Sequence, residues 1–157
     1  MTRKGDGKVA DLAGVTLFAG CTNKELSAIA RLTFETEAAP GQVVCKEGET
    51  GRECFVIVEG EAEVTMAGMP IATIGPGSFL GEMALLDRGP RVATVTAITP
   101  MRLLALSRTE FDALLVTVPE VSRRMLAIMG SRLRVMDEIA AAAKLVNVAP
   151  SGGPPSA

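Results

Sequence analysis

The sequence of 157 residues contains no histidine. Histidine supplies ligands in most catalytic zinc sites and the base in Ser-His-Asp and Cys-His sites, so its absence excludes those metal centres and those hydrolases. It also excludes the histidine-based metal sites of small β-barrel enzymes. No nucleophile lies beside a base, and no second carboxylate lies beside Glu82 to form an acid–base pair. We therefore expect a protein that is not an enzyme and holds no metal or cofactor.

A basic excess, paired cysteines and long apolar runs are also missing. Sixteen Lys and Arg residues against eighteen Asp and Glu residues leave a formal net charge of −2, which does not favour nucleic acid as the partner. Cys21, Cys45 and Cys54 form an odd, widely spaced set, which fits a reducing cytosol better than a disulfide framework. No apolar run approaches the ~18 residues that span a bilayer, and no targeting segment is visible. We expect a cytoplasmic protein that binds neither nucleic acid nor a membrane, with Cys45 and Cys54 in core strands.

The hydrophobic fraction is 48%, which is enough for one globular domain with its own core. Charged residues at the start and a Pro-rich end predict flexible termini. We expect no second domain after the last predicted helix, which leaves a stand-alone protein or an excised fragment; the initial Met1 and the flexible tail favour a natural single-domain protein. The predicted boundaries are 1–9 for the flexible start, 10–145 for the domain and 146–157 for the flexible tail, with helices over 10–32, strands over 32–106 and helices over 107–145.

Three helix starts are marked by local signals. Thr22 and Glu25 have the spacing of a capping box, in which each side chain bonds the main-chain N–H of the other residue, and Ser107 and Glu110 have the same spacing. Pro119 suits the first position of a longer helix, because proline has no N–H to leave unsatisfied there. The apolar residues of this last helix recur at helical spacing. They are Val121, Met125, Ile128, Met129, Leu133, Met136, Ile139, Ala140 and Ala143.

The middle of the chain reads as short strands separated by turns. The clearest turn signals are Pro40-Gly41, Glu59-Gly60, Ala67-Gly68 and Arg88-Gly89-Pro90. This spacing is typical of antiparallel strands with no long helices between them. Within 61–66 the alternation predicts Ala62, Val64 and Met66 on the inner face. The predicted fold class is mainly β with flanking helices: an antiparallel jelly-roll β-barrel (a double-stranded β-helix) with N-terminal helices and a long C-terminal helix.

The stretch 75–97, GPGSFLGEMALLDRGPRVATVTA, has the features of an anion site. Its glycines let the backbone approach a ligand, and the first amides of a short helix at 81–86 lack intrahelical partners and attract an anion. Arg91 follows Pro90, and its guanidinium can bind two phosphate oxygens at once. Glu82 would be repelled by a phosphate, so it must face another part of the ligand, such as a sugar hydroxyl. Alternatively, Glu82 and Arg91 pair with each other in a loop without ligand.

These residues resemble the phosphate-binding cassette of the cyclic nucleotide-binding domain family, in which F-x-G-E-[MLI]-A-L-[LI] is followed by P-R-x-A-T-V. The resemblance covers roughly residues 12–136. It implies that Arg91 binds the cyclic phosphate and Glu82 the ribose 2′-hydroxyl. The amides implied as further phosphate and ribose contacts are those of Gly81, Glu82, Met83, Ala84, Val92 and Ala93. The other implied ligand-binding candidates are Phe79, Ile71, Arg132 and Met136.

The resemblance also implies a role for the last helix. In the family, such a helix closes over the base as a lid, and in the transcription-factor branch it pairs with its mate in a dimer; alternatively, its apolar face only packs on the barrel. Val92 lacks the hydroxyl that cGMP-preferring relatives often carry, which favours cAMP. Met136 and Asp137 stand where the catabolite-activator branch uses hydroxyl residues to touch adenine. Arg132 or Arg134 either reaches toward the ribose site or belongs to a solvated basic face.

We therefore expect a cytosolic cyclic nucleotide sensor, with cAMP favoured over cGMP as the ligand. Its last helix would change position on binding and signal to an unidentified partner protein. A monomer and a homodimer formed through that helix both remain open. The alternative is a ligand-free interaction or dimerisation protein that uses the same barrel and the same helix.

Overall fold

The computed structural model describes residues 4–81 and 89–151. The chain divides into two compact units, with the boundary after Val121. The helices are α1 (Lys4–Ala13), a 3₁₀ turn (Thr16–Phe18), α2 (Asn23–Leu32), α3 (Arg108–Thr117) and α4 (Pro119–Ser151). The strands are β1 (Phe34–Ala38), β2 (Val43–Cys45), β3 (Glu53–Glu59), β4 (Ala62–Met66), β5 (Met69–Ile74), β6 (Phe79–Leu80), β7 (Thr94–Ala97) and β8 (Met101–Ser107).

The strands of the first unit form two four-stranded sheets. Their orders are β1-β8-β3-β6 and β2-β7-β4-β5, and every pairing is antiparallel. Strands that are neighbours in a sheet are mostly distant in sequence, as in β1 with β8 and β2 with β7. Two such sheets with this connectivity make a jelly roll. The predicted fold class, an antiparallel barrel with helices on either side of it in the chain, is confirmed.

The strand β3 is buried on both faces. Phe55 and Ile57 belong to the barrel core, while the alternating residues Cys54 and Val56 are buried on the opposite face. Cys45, in β2, is buried as well, so the core positions predicted for Cys45 and Cys54 are confirmed. The helix α3 packs on β3, β8 and α2. The large apolar residues buried in the helices of this unit include Leu12, Phe18, Ile29, Phe111 and Leu114.

Two details of the strands differ from the sequence prediction. The prediction of Met66 as an inward residue is wrong: its side chain is 40% exposed. The register of β4 and β5 shifts between Val64 and Thr65, and such an irregularity interrupts the regular alternation of faces. The short strand β6 was not predicted. It exists because Phe79 and Leu80 pair with Val56 and Phe55 of β3.

Both predicted capping boxes are present. The Thr22 hydroxyl accepts a hydrogen bond from the Glu25 N–H at 3.1 Å, and the Glu25 carboxylate accepts one from the Thr22 N–H at 2.8 Å. The same reciprocal bonds join Ser107 and Glu110 at the start of α3. Local i, i+3 geometry is sufficient to form this motif, which explains why the sequence predicted it.

The helical segments extend further at both ends than the sequence predicted. Residues 4–9, expected to be flexible, belong to α1. The Lys8 ammonium donates a hydrogen bond of 2.8 Å to the Thr33 carbonyl at the end of α2, and this anchors the early turns of α1. At the other end, α4 runs to Ser151 instead of ending near 145. Residues 146–149 contain no Gly or Pro that would stop it.

One arginine connects α1 with three strands. Arg102 in β8 donates hydrogen bonds to carboxylate oxygens of Glu35 at 2.5 Å, Asp11 at 3.2 Å and Glu59 at 3.3 Å. The bond to Glu35, and then the interactions with Asp11 and Glu59, raise the pKa of Arg102 above its usual value despite partial desolvation. The guanidinium therefore stays charged and links α1, β1 and β3 to β8.

The second unit is formed by α4 after Val121. Two members of the predicted apolar stripe, Leu133 and Ile139, are 62% and 63% exposed. None of the helices that the structure describes combines the length and hydrophobicity of a transmembrane span.

Candidate functional site

Arg91 lies three residues before β7 and is fixed through its main chain. Its N–H donates to the Glu49 carbonyl at 2.9 Å, and its own carbonyl accepts from the Gly48 N–H at 2.8 Å. The preceding residue, Pro90, forms an isolated antiparallel bridge with Thr50. The loop between β2 and β3 therefore pairs with the Arg91 segment like a short additional strand, and this sets the direction in which the Arg91 side chain leaves the backbone.

Of the two terminal nitrogens of the Arg91 guanidinium, one has a hydrogen-bond acceptor in the described residues and the other has none. Its Nη2 donates to the carbonyl oxygen of Glu53, the first residue of β3, at 2.9 Å. Its Nη1 is buried and has no hydrogen-bond partner among residues 4–81 and 89–151. Leaving a buried charged donor without an acceptor costs more than the ~1–3 kcal/mol of a neutral group. Arginine presents its donors as a rigid fork, so the bond to Glu53 also fixes where Nη1 points. An anion that met Nη1 would satisfy it.

Gly81 forms the wall beside this guanidinium. It follows β6 directly and has a φ of +86°, a region that side chains rarely adopt. A Cβ atom at Gly81 would lie 2.5 Å from Nη1 of Arg91 and 3.1 Å from the carbonyl oxygen of Glu53. Real Cβ atoms do not come that close to another heavy atom, so the arginine can take this position only next to a glycine.

The β4–β5 hairpin is the neighbouring part of the second sheet. Thr94, three residues after Arg91, pairs with Thr65 near the end of β4. The hairpin carries apolar side chains that are not covered, among them Ile71 at 54% exposure. Val92, next to the arginine, is 48% exposed. A donor for an anion therefore lies just before β7, and uncovered apolar side chains lie beside it at Val92 and on the hairpin that pairs with β7. This suits a ligand with an anionic part and a flat apolar part.

The structure brings together some of the predicted site residues. Gly81 and Arg91 meet directly, and Phe79 is half-buried in β6 two residues before Gly81. Ala93 is half-buried between Val92 and the start of β7. Ile71 lies in β5, on the hairpin that pairs with β7.

Other predicted site residues are not placed at this site. Glu82, Met83 and Ala84 lie outside the described residues, so their predicted contacts stay predictions, as does the alternative pairing of Glu82 with Arg91. Arg132 and Met136 lie in α4, within the second unit. Their predicted roles at the base and ribose also stay predictions.

Sequence reasoning missed the groups that hold the arginine. Glu53 and Glu49 contribute carbonyl oxygens and Gly48 contributes an N–H. Main-chain atoms are the same in every residue, so no side-chain pattern could have indicated them. Only the folded chain identifies them, because the loop after β2 pairs with the Arg91 main chain and the start of β3 meets the Arg91 side chain. In the described part of the chain, no group of three or more Cys, Asp and Glu side chains is arranged to hold a metal ion.

Proteins similar to this chain include channels and kinase subunits. A cyclic nucleotide-gated potassium channel of Rhizobium etli is 38% identical over 111 residues, which is 71% of this chain and 31% of the channel. A cAMP-dependent protein kinase regulatory subunit of Pyricularia oryzae is 36% identical over 115 residues, which is 72% of this chain and 30% of the subunit. The chain thus spans about a third of the length of these two relatives.

The fold matches solved structures as well. A crystal structure of the Thermus thermophilus catabolite activator protein superposes with a TM-score of 0.77 at 28% identity, covering 82% of this chain and 62% of that one. The family model for the cyclic nucleotide-binding domain matches residues 35–117, which contain Gly81, Arg91 and all of both sheets except Phe34 at the start of β1. This chain belongs to the cyclic nucleotide-binding domain family.

Proposed function

We propose that the chain is a cyclic nucleotide sensor in which Arg91 binds the cyclic phosphate. The observation that carries this proposal is the hydrogen bonding of the Arg91 guanidinium. Its Nη2 donates to the Glu53 carbonyl, and its buried Nη1 has no acceptor in the described residues. A cyclic phosphate presents two exocyclic oxygens with one negative charge. One of them on Nη1 would supply the missing acceptor as a charge-assisted hydrogen bond.

The remaining contacts are proposed from the resemblance. Glu82 would accept a hydrogen bond from the ribose 2′-hydroxyl, and the amides of Gly81, Val92 and Ala93 would add donors to the phosphate and ribose. The exposed side chains of Ile71 and Val92 offer an apolar surface for the base.

Among cyclic nucleotides we propose cAMP over cGMP. Val92 has no hydroxyl to meet guanine, and one of the relatives is named as a cAMP-dependent kinase subunit. We propose a cytosolic location, because the odd, widely spaced set of three cysteines fits a reducing compartment.

The proposed output is a change in the position of α4 that a partner protein reads. A ligand shifts such an equilibrium only by the difference in its affinity for the two states, which is typically ~1–3 kcal/mol. The exposed Leu133 and Ile139 give α4 an apolar surface for contact. The same two side chains favour the second candidate function, an interaction or dimerisation protein that needs no ligand.

Calorimetric titration of the wild-type protein and the Arg91→Ala variant with cAMP and cGMP tests the proposal. We expect the wild type to bind cAMP more tightly than cGMP. Arg91→Ala removes charge-assisted bonds worth ~1.5–3 kcal/mol each, so it should weaken binding by about a hundredfold. Arg52→Ala is the matched control, because it removes an exposed positive charge next to Glu53 and should change the affinity by less than about threefold.

Three results would count against the proposal. Equal affinity of Arg91→Ala and the wild type would remove the phosphate assignment. Equal affinity of the wild type for both nucleotides would remove the preference for cAMP. Amide NMR shifts that stop before Pro119 when ligand is added would show that binding does not reach α4.

A further inference from the structure

The turn between β4 and β5 carries an alanine in a backbone conformation that alanine rarely adopts. Met66 pairs with Met69, so Ala67 and Gly68 form a two-residue turn. Both have positive φ, +50° for Ala67 and +78° for Gly68. Ala67 is the one non-glycine residue with positive φ in the described part of the chain. A side chain in this region costs roughly 1–2 kcal/mol, so an interaction that favours this conformation helps to maintain the turn.

Such an interaction comes from the loop after β2. The Ala67 N–H donates a hydrogen bond to Oε1 of Glu47 at 2.9 Å. This contact spans 20 residues of sequence and joins two different turns. Glu47 is itself fixed, because its own N–H donates to the Thr94 hydroxyl at 3.0 Å. The carboxylate therefore reaches the hairpin from a backbone position that is tied to the start of β7.

The residues that follow Glu47 hold Arg91. The Gly48 N–H donates to the Arg91 carbonyl, and the Glu49 carbonyl accepts from the Arg91 N–H, at 2.8 and 2.9 Å. Three consecutive residues thus connect the hairpin turn with the main chain of the arginine. This connection does not depend on α4, and all of its members lie in the first unit.

We propose that Glu47 is a positioning residue for ligand binding. By holding Ala67, it fixes the end of the β4–β5 hairpin against the Arg91 segment. It thereby sets the distance between the anion-binding guanidinium and the uncovered apolar side chains of the hairpin, which receive the ligand's base. This inference rests on the proposed function. Under this proposal, Glu47 affects the binding of the ligand's base and not the binding of its phosphate.

Charge alone predicts the opposite effect, and this makes the proposal testable. Removing a carboxylate near an anion site should strengthen anion binding slightly. Glu47→Ala should instead weaken cAMP binding by about three- to tenfold, the range expected for one lost hydrogen bond. Glu47→Gln keeps a side-chain oxygen acceptor and should bind cAMP within about twofold of the wild type. Glu63→Ala removes a carboxylate from the same hairpin and serves as the matched control, with unchanged or slightly tighter binding.

A second ligand separates positioning of the base from general damage. Methyl riboside 3′,5′-cyclic phosphate has the phosphate and ribose but no base, and its binding can be followed by NMR titration. Glu47→Ala should leave the affinity for this probe unchanged while it weakens cAMP binding. Equal weakening for both ligands would show general damage to the fold, and no weakening of cAMP binding would show that the hairpin does not need Glu47. Either result overturns the proposal.

The amide of Ala67 reports on the hydrogen bond without any ligand. Its hydrogen exchange should be faster in Glu47→Ala than in the wild type and in Glu47→Gln. If the wild type binds cAMP but the Ala67 amide exchanges equally fast in Glu47→Ala and the wild type, the proposed role of Glu47 is overturned and the proposed function is not. If the wild type binds neither nucleotide, the proposed function fails, and the ligand role of Glu47 fails with it, whatever the amide shows.

Discussion

Replacing Gly81 by alanine tests whether the position of Arg91 depends on the absence of a side chain at residue 81. The substitution adds one carbon atom in a backbone conformation with a φ of +86°. That carbon would lie 2.5 Å from Nη1 of Arg91. Gly41 provides a matched control, since its φ is +87° and a Cβ there would have no atom within 4 Å. The two variants share the backbone strain and differ in the contact.

The expected magnitudes follow from this geometry. Alanine at positive φ costs roughly 1–2 kcal/mol, so Gly41→Ala should lower the free energy of unfolding by that amount and leave ligand affinity unchanged. In Gly81→Ala, Nη1 must also retreat by about 1 Å to reach the normal contact distance of ~3.5 Å. Because the guanidinium is rigid and Nη2 is bonded to Glu53, moving Nη1 shifts both terminal nitrogens of Arg91 away from their present positions. Losing one charge-assisted bond of ~1.5–3 kcal/mol weakens nucleotide binding by about ten- to a hundredfold.

Two measurements on each variant are needed. Urea unfolding gives the free energy of unfolding, and calorimetry with cAMP gives the affinity. We expect both variants to lose stability and only Gly81→Ala to lose affinity. If Gly81→Ala binds cAMP as tightly as Gly41→Ala, then the position of Nη1 seen here is not the one used for binding, and the reasoning from the buried donor is refuted.

Two further substitutions test other parts of the molecule. Arg102→Met removes the guanidinium that joins Asp11, Glu35 and Glu59, and we expect a loss of about 1–2 kcal/mol in the free energy of unfolding, measured in urea. Since its partners raise the pKa of Arg102, the guanidinium's own contribution is present below its unfolded pKa and is lost only as the pH rises through its folded pKa. The stability difference between the wild type and Arg102→Met should therefore stay constant between about pH 6 and pH 9, and a change over this range would contradict this. Val92→Thr supplies a hydroxyl beside the arginine and should raise the affinity for cGMP relative to cAMP by several-fold; an unchanged ratio in calorimetry would show that residue 92 does not select the base.

The features of the fold that were predictable are the ones that depend on nearby residues. Thr22 and Glu25 are three residues apart, so the capping box is visible in the sequence. The pairing that creates β6 is not visible, because Phe79 meets Val56 from 23 residues earlier in the chain. A two-residue strand also has no alternation to detect. Met66 was placed on the wrong face because a shift in register depends on how β5 pairs with β4.

The candidate site shows the same division. Arg91 and Gly81 could be found because their residue types carry the chemistry: a bidentate cation and a backbone position that excludes side chains. The carbonyl of Glu53 could not be found, since it belongs to a residue whose side chain plays no part in the contact. Glu47 could not be assigned either. A glutamate in a polar turn is normally solvated, and only the folded chain brings it to Ala67.

The acceptor for Arg91 belongs to the strand that is covered on both faces. Glu53 begins β3, and the four residues after it are all buried. The residues that fix this carbonyl belong to both the barrel core and the helix-covered layer, so its position should be as stable as the barrel itself. Substitutions that destabilise the barrel should therefore lower the fraction of molecules that can bind the nucleotide. The dissociation constant of the molecules that stay folded should not change. The hairpin that carries Ile71 ends in an edge strand of its sheet, so substitutions there should lower the free energy of unfolding less than substitutions in β3.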